Sequence, residues 1–250
     1  MRVDVFGLTD VGRRRENNQD HVLVDLDRGI FAIADGMGGH AAGEVASQIA
    51  IEALADTIGS GNGEIGDHVE RAGRELEHAV LEGNRRICES VLARGEWRGM
   101  GTTIVALRAL EDRAVIGHVG DSRAYRLRGD TLTRLTDDHS WVGEQVRLGL
   151  LTEVEARRHP MRNIVTRAMG NRPEVDVELN EAELLPGDVY LLCSDGLNSM
   201  LQDDEIRQTL VDHAVDPEGA CRMLVERANA RGGEDNISVI VLRAQGDPER

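Results

Sequence analysis

The order of elements predicts an α+β fold, an α/β sandwich in which antiparallel β-sheets are covered by pairs of helices. Three observations carry this. Strand-like runs lie near residues 3–8, 21–25, 30–34, 102–108, 113–119, 123–127, 188–193 and 237–243. Two helical patterns, 42–58 and 66–93, follow one another with no strand between them. The middle runs, 102–108, 113–119 and 124–127, form a meander joined by short turns such as Glu111-Asp112 and Arg128-Gly129-Asp130. Short links imply antiparallel pairing. This is not the strict strand–helix alternation of a doubly wound sheet.

Along the chain, residues 42–58 are Ala-rich, with Ile51, Leu54 and Ile58 at helical spacing. Gly59-Ser60-Gly61-Asn62-Gly63 reads as a helix–helix loop, too short to separate two cores. The stripe Val69, Leu76, Val80, Ile87 and Val91 recurs by sevens and fours and predicts a long helix over 66–93. Residues 137–172 are polar, short-helical and rich in His and Arg, so they read as an insertion on the sheet scaffold. Helices follow at 203–211, where Asp203-Asp204 suits a helix N-terminus, and at 217–230. Residues 1–244 therefore read as one domain and 245–250 as a frayed tail.

Composition excludes several function classes. The 250 residues allow a sizeable core. Twenty-nine basic against 45 acidic residues give a net charge of −16, and nonspecific nucleic-acid binding needs the opposite sign. No stretch approaches the roughly 18 apolar residues of a membrane span. Cys88, Cys193 and Cys221 are odd in number and unpaired in spacing, which predicts a reduced, cytoplasmic protein. Met1-Arg2-Val3-Asp4-Val5-Phe6 lacks the apolar core of a secretory signal, and a polar segment follows Arg13-Arg14-Arg15, unlike a twin-arginine signal. A monomer is the default.

The most informative feature is a set of acidic positions bordering apolar runs. Phe31-Ala32-Ile33-Ala34 runs into Asp35-Gly36, and Val189 to Ser194 runs into Asp195-Gly196. Asp235-Asn236 precedes the run from Ile237 to Leu242, and Val115 to Gly120 leads to Asp121. Strand ends hold side chains rigidly, and glycine after aspartate lets a cation or phosphate approach the backbone. Carboxylates gathered at one end of a sheet repel each other unless cations sit between them. That pattern points to a hard-metal site, and phosphate chemistry is its commonest use.

In order and spacing the chain resembles the bacterial PP2C (PPM) metal-dependent protein serine/threonine phosphatases. The resemblance begins at Thr9-Asp10-Val11-Gly12 and passes through Arg15, Asn18-Gln19-Asp20 and Asp35-Gly36-Met37-Gly38-Gly39-His40. It continues with Gly101-Thr102-Thr103, Gly120-Asp121-Ser122-Arg123, Asp138-His139-Ser140 and His159-Pro160, and ends with Ser194-Asp195-Gly196-Leu197 and Gly233-Glu234-Asp235-Asn236. The resemblance implies a four-layer sandwich, two antiparallel sheets flanked by antiparallel helix pairs, with a mobile flap over about 137–172. It implies two Mn²⁺ or Mg²⁺ ions. Asp35 matches the bridging ligand, the Gly36 carbonyl completes the second ion, and Asp195 and Asp235 match the other carboxylates. Asp20 matches the position that holds metal-bound water; beside it the family places an acidic or amide residue, here the neutral Gln19, which would weaken direct coordination there. Arg15 matches the phosphate-binding arginine, whose fork holds two phosphoryl oxygens while a metal-bridging hydroxide attacks in line. Asp121 with Asp195 matches a third, weaker site, where Ser199 replaces a common aspartate. The proton donor to the leaving alkoxide stays open: Met37 stands where some relatives carry a histidine, a metal-bound water can serve, and His40 reads first as structural.

The implied activity is hydrolysis of phosphoserine and phosphothreonine in proteins, reversing a Ser/Thr kinase. Two other readings are a phosphatase of anti-anti-sigma-type regulators, whose usual sensor domain has no room here, and a non-catalytic phosphoprotein-binding relative. Two rival motifs fail. Cys88 and Arg94 have the C-x5-R spacing of cysteine phosphatases, but six helical steps turn by about 240° and point them apart, so Cys88 reads as core packing. Gly36-Met37-Gly38-Gly39-His40-Ala41 loosely matches a dinucleotide loop, but Asp35 before it would repel a pyrophosphate. The eight histidines show no zinc-like spacing.

Overall fold

The computed structural model describes residues 2–38, 42–59 and 68–246. His40, most of the 59–63 loop, positions 66–67 and the end of the tail lie outside the described residues.

Alternate residues of a strand face opposite ways, and in the inner strands here both faces are apolar. Strand β1 spans Arg2–Asp10, β2 Asp20–Asp25 and β3 Ile30–Met37. Helices α1 (Ala42–Thr57) and α2 (His68–Ala93) follow. Then come β4 (Gly101–Thr102), β5 (Ile104–Ala109), β6 (Arg113–Val119), β7 (Arg123–Arg128) and β8 (Thr131–Arg134). After short helices α3 (Trp141–Arg147) and α4 (Glu153–Arg158) come β9 (Glu178–Glu183), β10 (Val189–Cys193) and α5 (Asp195–Asn198). The chain closes with α6 (Asp203–Asp212), α7 (Pro217–Ala230) and β11 (Ile237–Gln245).

The strands form two antiparallel sheets, ordered β1-β11-β10-β7-β8 and β2-β3-β5-β6-β9, with β4 on β3. Phe31, Ile33, Val105 and Leu107 meet Tyr190, Leu192, Ile240 and Leu242 between the sheets. On the opposite faces, Ile30, Ala32 and Ala106 pack under α1 and α2, while Leu191, Val239 and Val241 pack under α6 and α7. Four layers result, as the resemblance implied. In α2 the buried stripe includes Ala72, Leu76, Val80 and Ile87, and the solvent face is laced by Arg74–Glu70, Arg71–Glu75 and Arg86–Glu82 pairs. Such pairs contribute about 0.2–0.5 kcal/mol each.

The structure corrects three expectations. The 102–108 run is broken at Thr103 into β4 and β5. The meander stops after β6: β7 does not pair with β6 but joins the other sheet, against β10 and β8. The link Gly120-Asp121-Ser122 carries the chain across, and it turns on a positive φ of 114° at Gly120, where a side chain would also collide with Thr103. Strands β8 and β9 lie outside the predicted runs; β9, Glu-Leu-Asn-Glu-Ala-Glu, is a charged edge strand with little apolar signal. The polar 137–172 segment holds α3 and α4; a bridge between Ser140 and Val165 closes it on itself, and a bridge from Met169 to Thr102 of β4 ties its far end to the scaffold.

Candidate active site

The acidic positions converge. Asp20 opens β2 directly opposite Asp35 near the end of β3. Asp121 lies on the sheet-crossing link, Asp195 opens α5 after β10, and Asp235 precedes β11. A cleft of about 320 Å³ is lined by Arg15, Asp35, Gly36, Asp121, Asp195 and Asp235. Of the seven residues singled out from sequence, only Asp20 is absent from that lining; it sits buried behind it.

Backbone contacts fix the cleft floor. The Asp35 carbonyl accepts from the Thr103 N–H and the Thr102 hydroxyl, each at 2.9 Å. Thr103 Oγ1 pairs with Ser122 Oγ at 2.7 Å, next to Asp121, so the Gly101-Thr102-Thr103 motif ties two acidic segments together. Gly36 has a packing reason of its own: a side chain there would strike the carbonyls of Gly43 and Gln19.

The carboxylates are held close enough to disturb each other. Burial, and then the charges of Asp20, Asp195, Asp121 and Asp235, drive Asp35 well above the usual carboxylate range. Asp195 is pushed up to about 6 by burial and by Asp235, although it accepts a hydrogen bond from the Asp35 carboxyl. Asp121 is raised by burial and by Asp195. Burial raises Asp20 to about 7, against the lowering effect of two hydroxyls. Those hydroxyls are Ser194 and Ser238, which donate to Asp20 Oδ2 at 2.8 and 2.7 Å. The other oxygen, Oδ1, is buried without a partner. An orphaned carboxylate oxygen behind mutually repelling carboxylates is the donor set of a hard divalent cation and its water shell.

Arg15 is exposed and donates to Asp235 Oδ2 at 2.6 Å. Its loop is held by Asn236, a residue quoted in the sequence motif without a role. The Asn236 amide donates to the carbonyls of Val11 and Asn17, both at 2.9 Å, and accepts from the Gln19 N–H at 2.8 Å. Asn236→Ala strands three buried or half-buried backbone groups. The expected result is a loss of roughly 1–3 kcal/mol of stability and a raised KM through a displaced Arg15, seen in denaturation and steady-state kinetics.

The structure also gathers residues that spacing did not. His118 and His139 stack with centroids 4.6 Å apart, and Glu178 Oε2 lies 3.1 Å from His139 Nε2. These three lie close enough to hold an ion, but the protons argue otherwise. Gly120 N–H donates to His139 Nδ1 at 3.0 Å, so the ring proton sits on Nε2 and faces Glu178. The Arg167 guanidinium stands 3.1 Å from the same nitrogen and would repel a cation. The group instead clips the 137–172 segment to β9 and to the Gly120 turn. Cys88 is half-buried rather than in the core. Its thiol donates weakly to the Arg172 carbonyl at 3.4 Å and is raised by burial, while Arg94 stacks over Trp97. Cys88 lies within α2 rather than in a phosphate-cradling loop after a strand.

Comparison with known proteins accords with this geometry. The Protein phosphatase 2C family profile matches residues 11–229. The chain belongs to the protein phosphatase 2C family. It is 37% identical to the serine/threonine phosphatase stp of Listeria innocua, over 94% of this chain and 93% of that one. The crystal structure of the Mycobacterium tuberculosis serine/threonine phosphatase PstP/Ppp superposes with a TM-score of 0.88 at 38% identity, covering 98% of this chain and 100% of that chain. The catalytic domain of PstP in complex with two manganese ions matches with a TM-score of 0.86 at 37% identity, covering 98% and 99%. No helix among the described residues is long and apolar enough to cross a membrane.

Proposed function

We propose that this chain hydrolyses phosphoserine and phosphothreonine in proteins, using two Mn²⁺ or Mg²⁺ ions held in the acidic cleft. The observation that carries the reading is the convergence of Asp35, Asp121, Asp195 and Asp235 on one cleft with the unpartnered Asp20 oxygen behind it. Asp35, the Gly36 carbonyl, Asp195 and Asp235 would hold the two ions, and Asp121 with Asp195 a weaker third, opposite Ser199. Two such ions supply Lewis-acid activation of water and neutralise phosphoryl charge.

The chain's own groups do the rest. Arg15 binds the substrate phosphate with its planar fork, leaving Asp235 to a cation. Asp20 Oδ1, left without a partner behind the cleft, would accept a hydrogen bond from water bound by the cations, while Ser194 and Ser238 fix its orientation. No protein nucleophile is needed. A purely phosphoprotein-binding relative has no use for four clustered carboxylates, which favours the enzyme. Residues 1–244 form the catalytic domain in this reading, with 137–172 as its flap. The partners are phosphorylated proteins and a cognate Ser/Thr kinase. The chain is read as a cytoplasmic monomer, and the three free cysteines accord with the reducing compartment.

The test is p-nitrophenyl phosphate hydrolysis in Mn²⁺ and then in excess EDTA. Turnover that disappears with chelation is expected. In Arg15→Ala, KM should rise more than kcat falls. Turnover that survives EDTA would sink the metal reading.

A further inference from the structure

Beside the acidic cleft lies a second cavity of about 120 Å³, between the 137–172 segment and the sheet edge. It is large enough for polar groups and water. The two cavities share Asp121, Asp195, Ser199, Arg162 and Asn163 in their walls, so they adjoin. Most charges in the second cavity are already satisfied. Arg123 holds Asp138 through two bonds of 2.8 and 2.6 Å. Arg134 faces Glu153 at 3.4 Å, and Arg157 donates to the Asn198 carbonyl at 2.7 Å and faces Asp203 at 3.6 Å.

Two cations are left over. Among the described residues, the guanidinium groups of Arg147, in the last turn of α3, and Arg162 have no hydrogen-bond or ion-pair partner, yet both line this cavity. Asp137 also lines the cavity, 3.9 Å from Arg134. With Asp121 and Asp195 committed to cations, the five arginines in its walls still face only Asp137, Asp138 and Glu153 there, and the balance is positive. Guanidinium forks suit carboxylate and phosphate oxygens.

We propose that this cavity is a subsite for a second anionic group of the substrate, an acidic or phosphorylated side chain a few residues from the one being hydrolysed. The inference rests on the phosphatase reading and adds a substrate preference to it. Arg147 is the specificity residue, and Arg162, which lines both cavities, stands between the subsite and the cleft.

The test uses short phosphothreonine peptides in Mn²⁺, identical except for one flanking residue. That residue is glutamine, glutamate or a non-hydrolysable phosphonate analogue of phosphoserine, placed in turn at each nearby position. At one position the protein should prefer an anionic over the neutral peptide by about fivefold in kcat/KM, the worth of a partly exposed ion pair. A larger gain from the phosphonate assigns the subsite to a second phosphorylated residue; equal gains assign it to carboxylates as well. Arg147→Gln should bring the ratio to about one, whereas Arg147→Lys, which keeps the charge, should retain part of it. A ratio near one at every position, or a ratio that survives in Arg147→Gln combined with Arg162→Gln, would overturn the subsite. p-Nitrophenyl phosphate, which has no flanking residue, separates the two readings. Its hydrolysis without peptide preference removes the subsite alone, and its failure in Mn²⁺ removes the phosphatase reading and the subsite with it.

Discussion

Asp35→Ala and Asp195→Ala are each expected to abolish turnover while leaving the protein folded. A cation pair contributes several kcal/mol of transition-state stabilisation, and each 1.36 kcal/mol is a factor of ten in rate, so a loss of about 10³-fold or more in kcat should follow. The fold should survive for a specific reason. Asp35 is anchored by its main chain, through the Thr102 and Thr103 contacts to its carbonyl, and alanine keeps them. Its carboxyl is raised by burial and by the neighbouring aspartates, so that side chain is a strain on the metal-free fold rather than a support. In EDTA the variants should therefore melt no lower than the wild type at pH 8. Thermal melts beside Mn²⁺ kinetics decide it. Near-normal kcat in either variant would remove that residue from the site, and a collapse of the fold would contradict the electrostatic account.

The residues that carry this prediction were legible because each aspartate borders an apolar run, a pattern confined to a few neighbouring positions. Their supports were not legible. Ser194 and Ser238 reach Asp20 across 174 and 218 residues, and Asn236 reaches Val11 and Asn17 across 225 and 219. Hydrogen bonds of that separation leave no local trace; only the topology, with β1 and β10 on either side of β11, brings the partners together. The sheet-crossing at Gly120 was hidden for a related reason. A short link predicts antiparallel neighbours, but three residues with one positive φ can instead pass between stacked sheets. Edge strand β9 was missed because β propensity reports fit to a half-buried surface, and an edge carrying three glutamates offers little of one. The histidine pair escaped because His118 comes from a strand and His139 from the loop after β8, and they meet only through ring stacking and two hydrogen bonds between Gly120 and His139.

Mn²⁺ is expected to stabilise the protein much more at pH 8 than at pH 5. Asp20 stands at about 7 and Asp195 at about 6 in the metal-free fold, both up from 3.8, and Asp35 and Asp121 are raised as well. Between about pH 4 and 7 the folded chain therefore holds protons that the unfolded chain has released. Stability falls as pH rises through that window, and the deficit is complete above it. Below about pH 4 the groups are protonated in both states and contribute nothing. Cations replace those protons, so the deficit is relieved by metal, and only where the protons would otherwise be missing. A deficit of a few kcal/mol corresponds to a shift on the order of 10 °C in a domain of this size. His139, lowered to about 4 mainly by burial, acts in the opposite sense: its neutral folded form adds stability as pH rises from about 4 to 6.5. It takes no part in metal binding, so it cancels when the melt in Mn²⁺ is compared with the melt in EDTA at each pH. An equal Mn²⁺ shift at pH 5 and pH 8 would mean that the carboxylates are ionised in the metal-free fold throughout. Calorimetric titration at pH 6 in two buffers of different ionisation enthalpy gives an independent reading, because displacement of shared protons from this cleft must appear as protons released to the buffer.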